Sequence, residues 1–240
     1  MNKSAQTGRN RLLGTLAPDD LALIEPHFER AELRKGAVLF QPGEEVRHIY
    51  FPEQPAVAAL VVDLSDGDAA EATMIGCEGA VGGVISAGAK PAFARAMTQV
   101  GGSAIRLPIS VLEEAKQRSP QLRDHFARYA DCLLAQVMQT VACNTAHELD
   151  ARLARWLLAL NERVGTPELR LTQESIAQML GVRRTYVTKV LGRLEQLGAI
   201  HRMRGRVVIR HRGRLAAQAC ECYDQLRRHF DRILPEVYSE

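Results

Sequence analysis

LTQESIAQMLGVRRTYVTKVLGRLEQLGAIHRMRGRVVIRH, residues 171–211, holds two helical periods separated by a glycine, followed by a short alternating basic stretch. Thr172 is placed to cap the first helix, because its hydroxyl accepts from the free N–H groups of the first turn. Glu174 then falls where the helix dipole favours a negative charge. Ile176, Met179 and Leu180 share one face, and Gly181 supplies a residue able to turn left-handed just past the helix end. A second helix follows, with Val187, Val190, Leu191, Leu194 and Leu197 at spacings of three and four, ending at Gly198. Its buried stripe leaves Arg183, Arg184, Thr185, Thr188 and Lys189 on the outward side of the first turns. HRMRGRVVIRH then reads as two short strands turning near Arg204-Gly205, with His201, Arg202, Arg204, Arg206 and Arg210 along a narrow ribbon. The whole pattern is that of a winged helix-turn-helix.

The residue types give the pattern a chemical use. A recognition helix enters the major groove by its N-terminal turns and reads base edges with long hydrogen-bonding side chains. Between Arg183 and Arg214, ten Lys/Arg face a single acid, Glu195, for a charge of +9; the whole chain carries +3, so the remainder is at −6. Positive charge gathered on one module of an otherwise acidic chain is an electrostatic footprint for phosphates.

The run from Leu171-Thr172-Gln173-Glu174 through Gly181 and Arg184 to Leu194, Leu197, Gly198 and the basic wing resembles the DNA-binding domain of the CRP/FNR superfamily. These are dimeric bacterial transcription regulators related to the cyclic-AMP receptor protein. The resemblance implies guanine readout by Arg184 and a half-site contact by Lys189. The glutamate usual between them is replaced by Thr185, which can donate, accept or touch a thymine methyl, so a different operator is expected. Thr172, Gln173, Arg183, Thr188, Arg202, Arg204 and Arg206 are expected to position the module on phosphates. The expected partners are double-stranded DNA carrying a palindromic operator, a second copy of the chain and, for an activator, RNA polymerase.

The chain has 240 residues, 46% of them hydrophobic and 25% charged, as in an ordinary globular protein of one or two domains. The first ten residues are polar and read as mobile; they contain no apolar core of a signal peptide, and no run of eighteen apolar residues occurs, so a cytoplasmic protein without a membrane partner is expected. Helical segments are expected between Leu12 and Phe28. After Arg34 the period changes to short apolar runs broken at Pro42-Gly43, Pro52 to Pro55 and Asp66-Gly67, so residues 36–110 read as antiparallel strands. The phrase Ile49-Tyr50-Phe51-Pro52-Glu53 makes this span similar to the sensor roll of the same superfamily. The expected fold class is therefore α+β: a β-roll of the cyclic-nucleotide-binding kind with N-terminal helices over 1–117, a long dimerisation helix over 118–148, and a winged helix-turn-helix with a C-terminal helix over 149–240.

Gly76, Glu78, Gly79, Gly82 and Gly83 occupy the place where nucleotide-binding relatives build a phosphate cassette, and with Arg95 they define a candidate effector pocket. Lys90-Pro91-Ala92 stands where the arginine that neutralises a cyclic phosphate is expected. Any effector is therefore read as something other than cyclic AMP, and no cofactor is assigned. The seven histidines are scattered, and no Walker loop, nucleophile elbow or HExxH helix occurs, so no catalytic residue is assigned and an enzyme is not expected. In the long helix, Phe126, Tyr129, Leu133, Gln136 and Thr140 form the seam expected to face a partner, while Ala130, Leu134, Val137 and Val141 form a second seam. Five cysteines, an odd number, suit reduced thiols. Cys220-Glu221-Cys222 and the pair Cys143 and His147 have chelating spacing, but buried thiols with no metal are the adopted reading. Two rival functions remain: a thiol- or metal-responsive regulator sensing through cysteines, and an effector-binding protein acting on a protein partner.

Overall fold

A computed structural model describes residues 10–65, 69–84, 88 and 91–238. The turn expected at Asp66-Gly67, Lys90, and the first nine residues lie outside the described residues. Among the described residues the N-terminal half forms seven antiparallel strands: β1 (Glu29–Leu33), β2 (Val38–Phe40), β3 (His48–Pro52), β4 (Val57–Asp63), β5 (Ala69–Ile75), β6 (Arg95–Val100) and β7 (Gly102–Pro108). They form two sheets, ordered β1-β7-β3 and β2-β6-β4-β5. Ile49 and Phe51 from β3, Ala58 from β4, Ala96 from β6, and Ile105 and Leu107 from β7 meet between them as one apolar core. The roll starts earlier than residue 36. In β1 only Leu33 is buried, so this edge strand carries no hydrophobic alternation to be read.

Helices α1 (Arg11–Gly14) and α2 (Pro18–Ile24) cap the roll, with Leu12, Leu13 and Ile24 in its core. The expectation of a mobile first decade fails at Asn10. Its buried side chain accepts from Leu13 N–H at 3.0 Å and donates to the carbonyls of Pro52 and Gly79, both at 2.9 Å.

Helix α3 (Ile109–Arg118) leads through Ser119 into α4 (Pro120–Ala146). The Ser119 hydroxyl accepts from Leu122 N–H at 3.1 Å and Pro120 occupies the first turn, a strong helix start. Here most of the first seam turns inward. Phe126, Tyr129 and Gln136 are buried within the chain, against the roll, and Leu133 and Thr140 are half-buried. Leu134, Met138 and Val141 are instead exposed by 56%, 57% and 62%. The larger aromatic side chains of the first seam fill the space beside the roll, which leaves Leu134 and Val141 of the second seam outward with Met138, while Ala130 and Val137 are half-buried.

The C-terminal half comprises α5 (Leu149–Val164), β8 (Glu168–Leu169), α6 (Gln173–Leu180), α7 (Arg184–Gln196), β9 (Ile200–Met203), β10 (Arg206–Ile209), α8 (Arg212–Ala216) and α9 (Cys222–Ile233). The wing is a three-stranded sheet ordered β8-β10-β9; β8, two residues long, is too short to show a period. Trp156, Leu157, Leu160, Ile176, Leu180, Val187 and Leu191 make the second core, which also takes in Val57, Ala59 and Val61 of β4 and Met74 of β5. The reader thus docks on the outer face of the four-stranded sheet.

The C-terminal helix expected after the wing is broken into α8 and α9. Residues two apart on a helix do not face the same way, and the break lets both Cys220 and Cys222 be buried beside Cys143. Nor does the C-terminal helix belong to the reader alone: Phe230, Leu234, Val237 and Tyr238 join the core of the roll and α4. Among the described residues, no helix is long and apolar enough to cross a membrane.

Candidate nucleic-acid interface

The reader is built by local chemistry. Thr172 Oγ1 accepts from Ser175 N–H at 3.0 Å while Ser175 Oγ accepts from Thr172 N–H at 3.1 Å, a reciprocal cap that starts α6. Gly181, at φ 63°, closes it in the left-handed region, and α7 begins at once after Arg183. With Val187, Val190, Leu191 and Leu194 buried, the side chains of Arg183, Arg184, Thr185, Thr188 and Lys189 all stand exposed. Arg184 and Thr188, like Thr185 and Lys189, are one turn apart, so the three expected base readers share a surface with two expected phosphate contacts. Thr172 is exposed beside them, and Gln173 is tied to that surface by accepting from Thr188 Oγ1 at 2.6 Å.

The wing divides the expected phosphate contacts. Arg204 is exposed next to Gly205, whose φ of 73° makes the turn. Arg202 donates through Nε to Glu195 at 2.7 Å, and Arg206 pairs with Glu168 at 3.3 Å. Both are half-buried and fasten the wing to α7 and β8. Glu195 also faces His201 at 3.1 Å, so the one acid of the basic stretch is a brace. The Arg202 backbone N–H, followed by the Arg202 side chain, holds the Glu195 carboxyl below the usual range. Tyr186 went unassigned in the sequence reading. It is 51% exposed, with Lys189 Nζ 6.0 Å from its ring centre. Its position outside the apolar stripe of α7, between Thr185 and Val187, was the available signal.

The residues of the candidate effector pocket are tied to their neighbours by specific contacts. Glu78 is buried and its carboxylate meets Arg163 Nε of α5 at 2.8 Å, while Gly76 N–H donates to both of its oxygens at 3.1 Å. Arg163 further donates to the Ala159 carbonyl at 3.0 Å, and to Gln136 Oε1 and the Tyr238 hydroxyl oxygen at 3.3 Å. Burial opposes the guanidinium charge, but Glu78, with Tyr238 and Glu162, outweighs it and raises Arg163 above its ordinary value. A Cβ on Gly76 would meet Arg163 Cγ at 2.8 Å, and one on Gly79 would collide with the Tyr129 ring. Gly82, at φ 125°, lies against the His48 carbonyl, and Gly83 is half-buried. Arg95 donates to Asp63 at 2.6 and 3.1 Å. Arg163, Tyr129 and the roll's own backbone thus fill the space around Gly76, Gly79 and Gly82.

A second polar contact joins roll and reader. Glu71 of β5 accepts from Trp156 Nε1 at 3.0 Å and from Gln99 Nε2 at 3.1 Å. Loss of water around this carboxyl outweighs those two donors and pushes its pKa up to about 7. The cysteines that sequence reading kept as separate pairs also converge: the donor atoms of Cys143, His147, Cys220 and Cys222 lie within 4.8 Å of one another.

A capped helix, a left-handed glycine turn, a second helix with an exposed basic start, and a braced basic wing define a winged-helix module for reading duplex DNA. Residues 151–218 match the Crp-like helix-turn-helix domain. The chain is 22% identical over 196 residues to the anaerobic regulatory protein of Haemophilus influenzae, covering 78% of this chain and 75% of that one. Its fold is similar to that of FixK2 from Bradyrhizobium japonicum, with a TM-score of 0.67 and 18% identity over 80% of this chain and 98% of the other. It is also similar to that of a transcriptional regulator of the crp/fnr family from Eubacterium rectale, with a TM-score of 0.65 and 17% identity over 90% and 97%. Residues 151–218 thus carry a Crp-like helix-turn-helix domain, and the chain is a DNA-binding transcription regulator similar to those of the CRP/FNR superfamily.

Proposed function

We propose that this regulator works in the cytoplasm as a homodimer on an imperfect palindrome, with Arg184 reading guanine and Thr185 and Lys189 setting the neighbouring bases. The observation that carries this reading is the exposed polar surface at the start of α7, where Arg183, Arg184 and Lys189 form no ion pair among the described residues. Thr172, Gln173, Thr188, Arg183 and Arg204 hold phosphates around it, with Arg202 and Arg206 contributing from their braced positions. RNA polymerase is the further partner wherever the regulator activates. The partner seam is the aliphatic one, Leu134, Met138 and Val141, whose spacing of four and three suits a helix pairing across a two-fold axis. A dimer so made presents two copies of α7 to successive major grooves about one helical turn apart.

Commitment of Glu78 to Arg163 supports an effector other than a cyclic nucleotide, since that carboxylate is not free to take a ribose hydroxyl. The test is selection of operators from random DNA by the reduced protein, with the winners measured across a salt series. A palindrome that keeps its advantage at high salt is expected, because phosphate contacts alone lose affinity steeply as salt rises. Winners without two-fold symmetry would remove the dimeric reading. Leu134→Glu with Val141→Glu is expected to give monomers by light scattering and to lose tight operator binding.

A further inference from the structure

We propose that Cys143, His147, Cys220 and Cys222 form a site for one thiophilic divalent ion, of which Zn2+ fits best, and that the ion clamps the C-terminal helix to the end of the long helix. Cys143 Sγ is 3.5 Å from Cys220 Sγ, and Cys222 Sγ is 3.6 Å from His147 Nδ1. Tetrahedral Zn2+, with Zn–S about 2.3 Å and Zn–N about 2.0 Å, sets S–S edges of about 3.8 Å and S–N edges of about 3.5 Å. The Cys222–His147 separation therefore matches an edge of such a tetrahedron, and the Cys143–Cys220 separation is short of one by about 0.3 Å. All four donors fall within 4.8 Å of one another, which suits a single ion; a multi-iron cluster distributes its thiolates over several metal atoms and spreads them more widely.

The surroundings also fit an ion. Cys143 and His147 are one turn apart where α4 ends, and His147 N–H donates to the Cys143 carbonyl at 3.1 Å, which holds both side chains on one side. His147 Nε2 faces Glu221 Oε2 at 3.4 Å. A carboxylate at that nitrogen keeps its proton there and turns the Nδ1 lone pair toward the thiols, the arrangement that orients metal-binding histidines. Three thiols binding Zn2+ release three protons to solvent and leave the centre at −1. Arg152 lies within electrostatic range of Cys143 and Cys220, and among the described residues its buried Nε has no hydrogen-bond partner, which suits it as the countercharge. The same guanidinium donates to the Leu180 carbonyl at 3.0 Å, the last residue of α6. The centre therefore touches α4 and α9 directly and the helix-turn-helix through one side chain, at the joint where the long helix gives way to the reader.

The test is titration of the full-length protein, reduced and stripped of metal by chelator, with Co2+ and then Zn2+. One Co2+ per chain is expected, with thiolate-to-cobalt charge transfer in the near ultraviolet and the intense visible bands of a tetrahedral ion, all bleached by one equivalent of Zn2+. Cys220→Ser and Cys222→Ser are expected to lose those bands, and Cys77→Ser and Cys132→Ser, outside the cluster, to keep them. Glu221→Gln is expected to keep the spectrum and weaken affinity about tenfold. Absence of thiolate charge transfer in the reduced wild type overturns the site whatever the variants do. So does an unchanged spectrum in Cys220→Ser, or a Cys143–Cys220 disulfide that forms in air while no ion binds. Metal uptake is read without DNA, so its failure leaves the assignment of the reader untouched.

Discussion

Arg184 and Arg163 sit on two helices of the same reader and meet opposite surroundings. Arg184 is exposed at the start of α7 with no ion pair among the described residues, whereas Arg163 is buried in α5 between Glu78, Gln136, Tyr238 and the Ala159 carbonyl. Charge left unpaired in the free chain is charge offered to another molecule. Charge paired inside serves architecture, because a buried ion without its partner is far costlier than an exposed one. The same contrast runs through the wing, where Arg204 points outward and Arg202 is held by Glu195. It separates residues whose loss changes affinity from residues whose loss changes stability.

Arg163→Met gives the largest expected effect. It strands the Glu78 carboxylate, and urea unfolding should show a loss of about 3–5 kcal/mol. Adding Glu78→Gln should restore a large part of it, since the remaining group is then neutral. Wild-type stability in Arg163→Met would erase the distinction drawn between the two arginines. Next comes Thr172→Ala, which removes half of the reciprocal cap on α6 and should cost about 1 kcal/mol in the same measurement. Its effect on DNA binding should follow from the weakened helix and from one lost phosphate contact. Arg204→Ala sharpens the division within the wing. It should leave the melting temperature unchanged, weaken binding to all sequences alike, and reduce the salt-dependence slope by about 1.

A further expected effect is a pH dependence at the junction of roll and reader. The folded-state pKa of Glu71 is raised to about 7 by loss of water, so between the ordinary carboxylate range and that value the folded protein binds more protons than the unfolded chain. The contribution of this group is fully present below the ordinary range and is lost as pH rises through about 7. Melting temperatures measured from pH 5 to pH 8 should show this decline in the wild type, and Glu71→Gln should flatten it while keeping the Trp156 hydrogen bond. An identical decline in Glu71→Gln would assign it to other groups.

The reader was the most legible part of the chain because its signals are local. Thr172, Gly181 and Gly198 mark helix ends within a few residues of the stripes they bound, and alternation marks β9 and β10. The roll was legible as a class, yet its edge strand β1 was missed because an exposed strand shows no alternation. Long-range choices were not written in period or spacing. Both seams of α4 are apolar, and only the shape of the roll beside them decides that Phe126 and Tyr129 turn inward and Leu134 outward. The role of Glu78 depends on Arg163, 85 residues away. Cys143 and Cys220, 77 residues apart, are likewise joined only by the fold.

The most direct test of the account is the affinity of wild type and Arg184→Ala for the selected palindrome and for a scrambled duplex, at about 0.15 M salt, where screening already limits non-specific attraction. The account predicts that Arg184→Ala loses about 1–3 kcal/mol on the palindrome and keeps its affinity for the scrambled duplex, so that discrimination shrinks and bulk binding does not. An equal loss on both duplexes would contradict it, reducing Arg184 to a phosphate contact and removing the base reader from the start of α7.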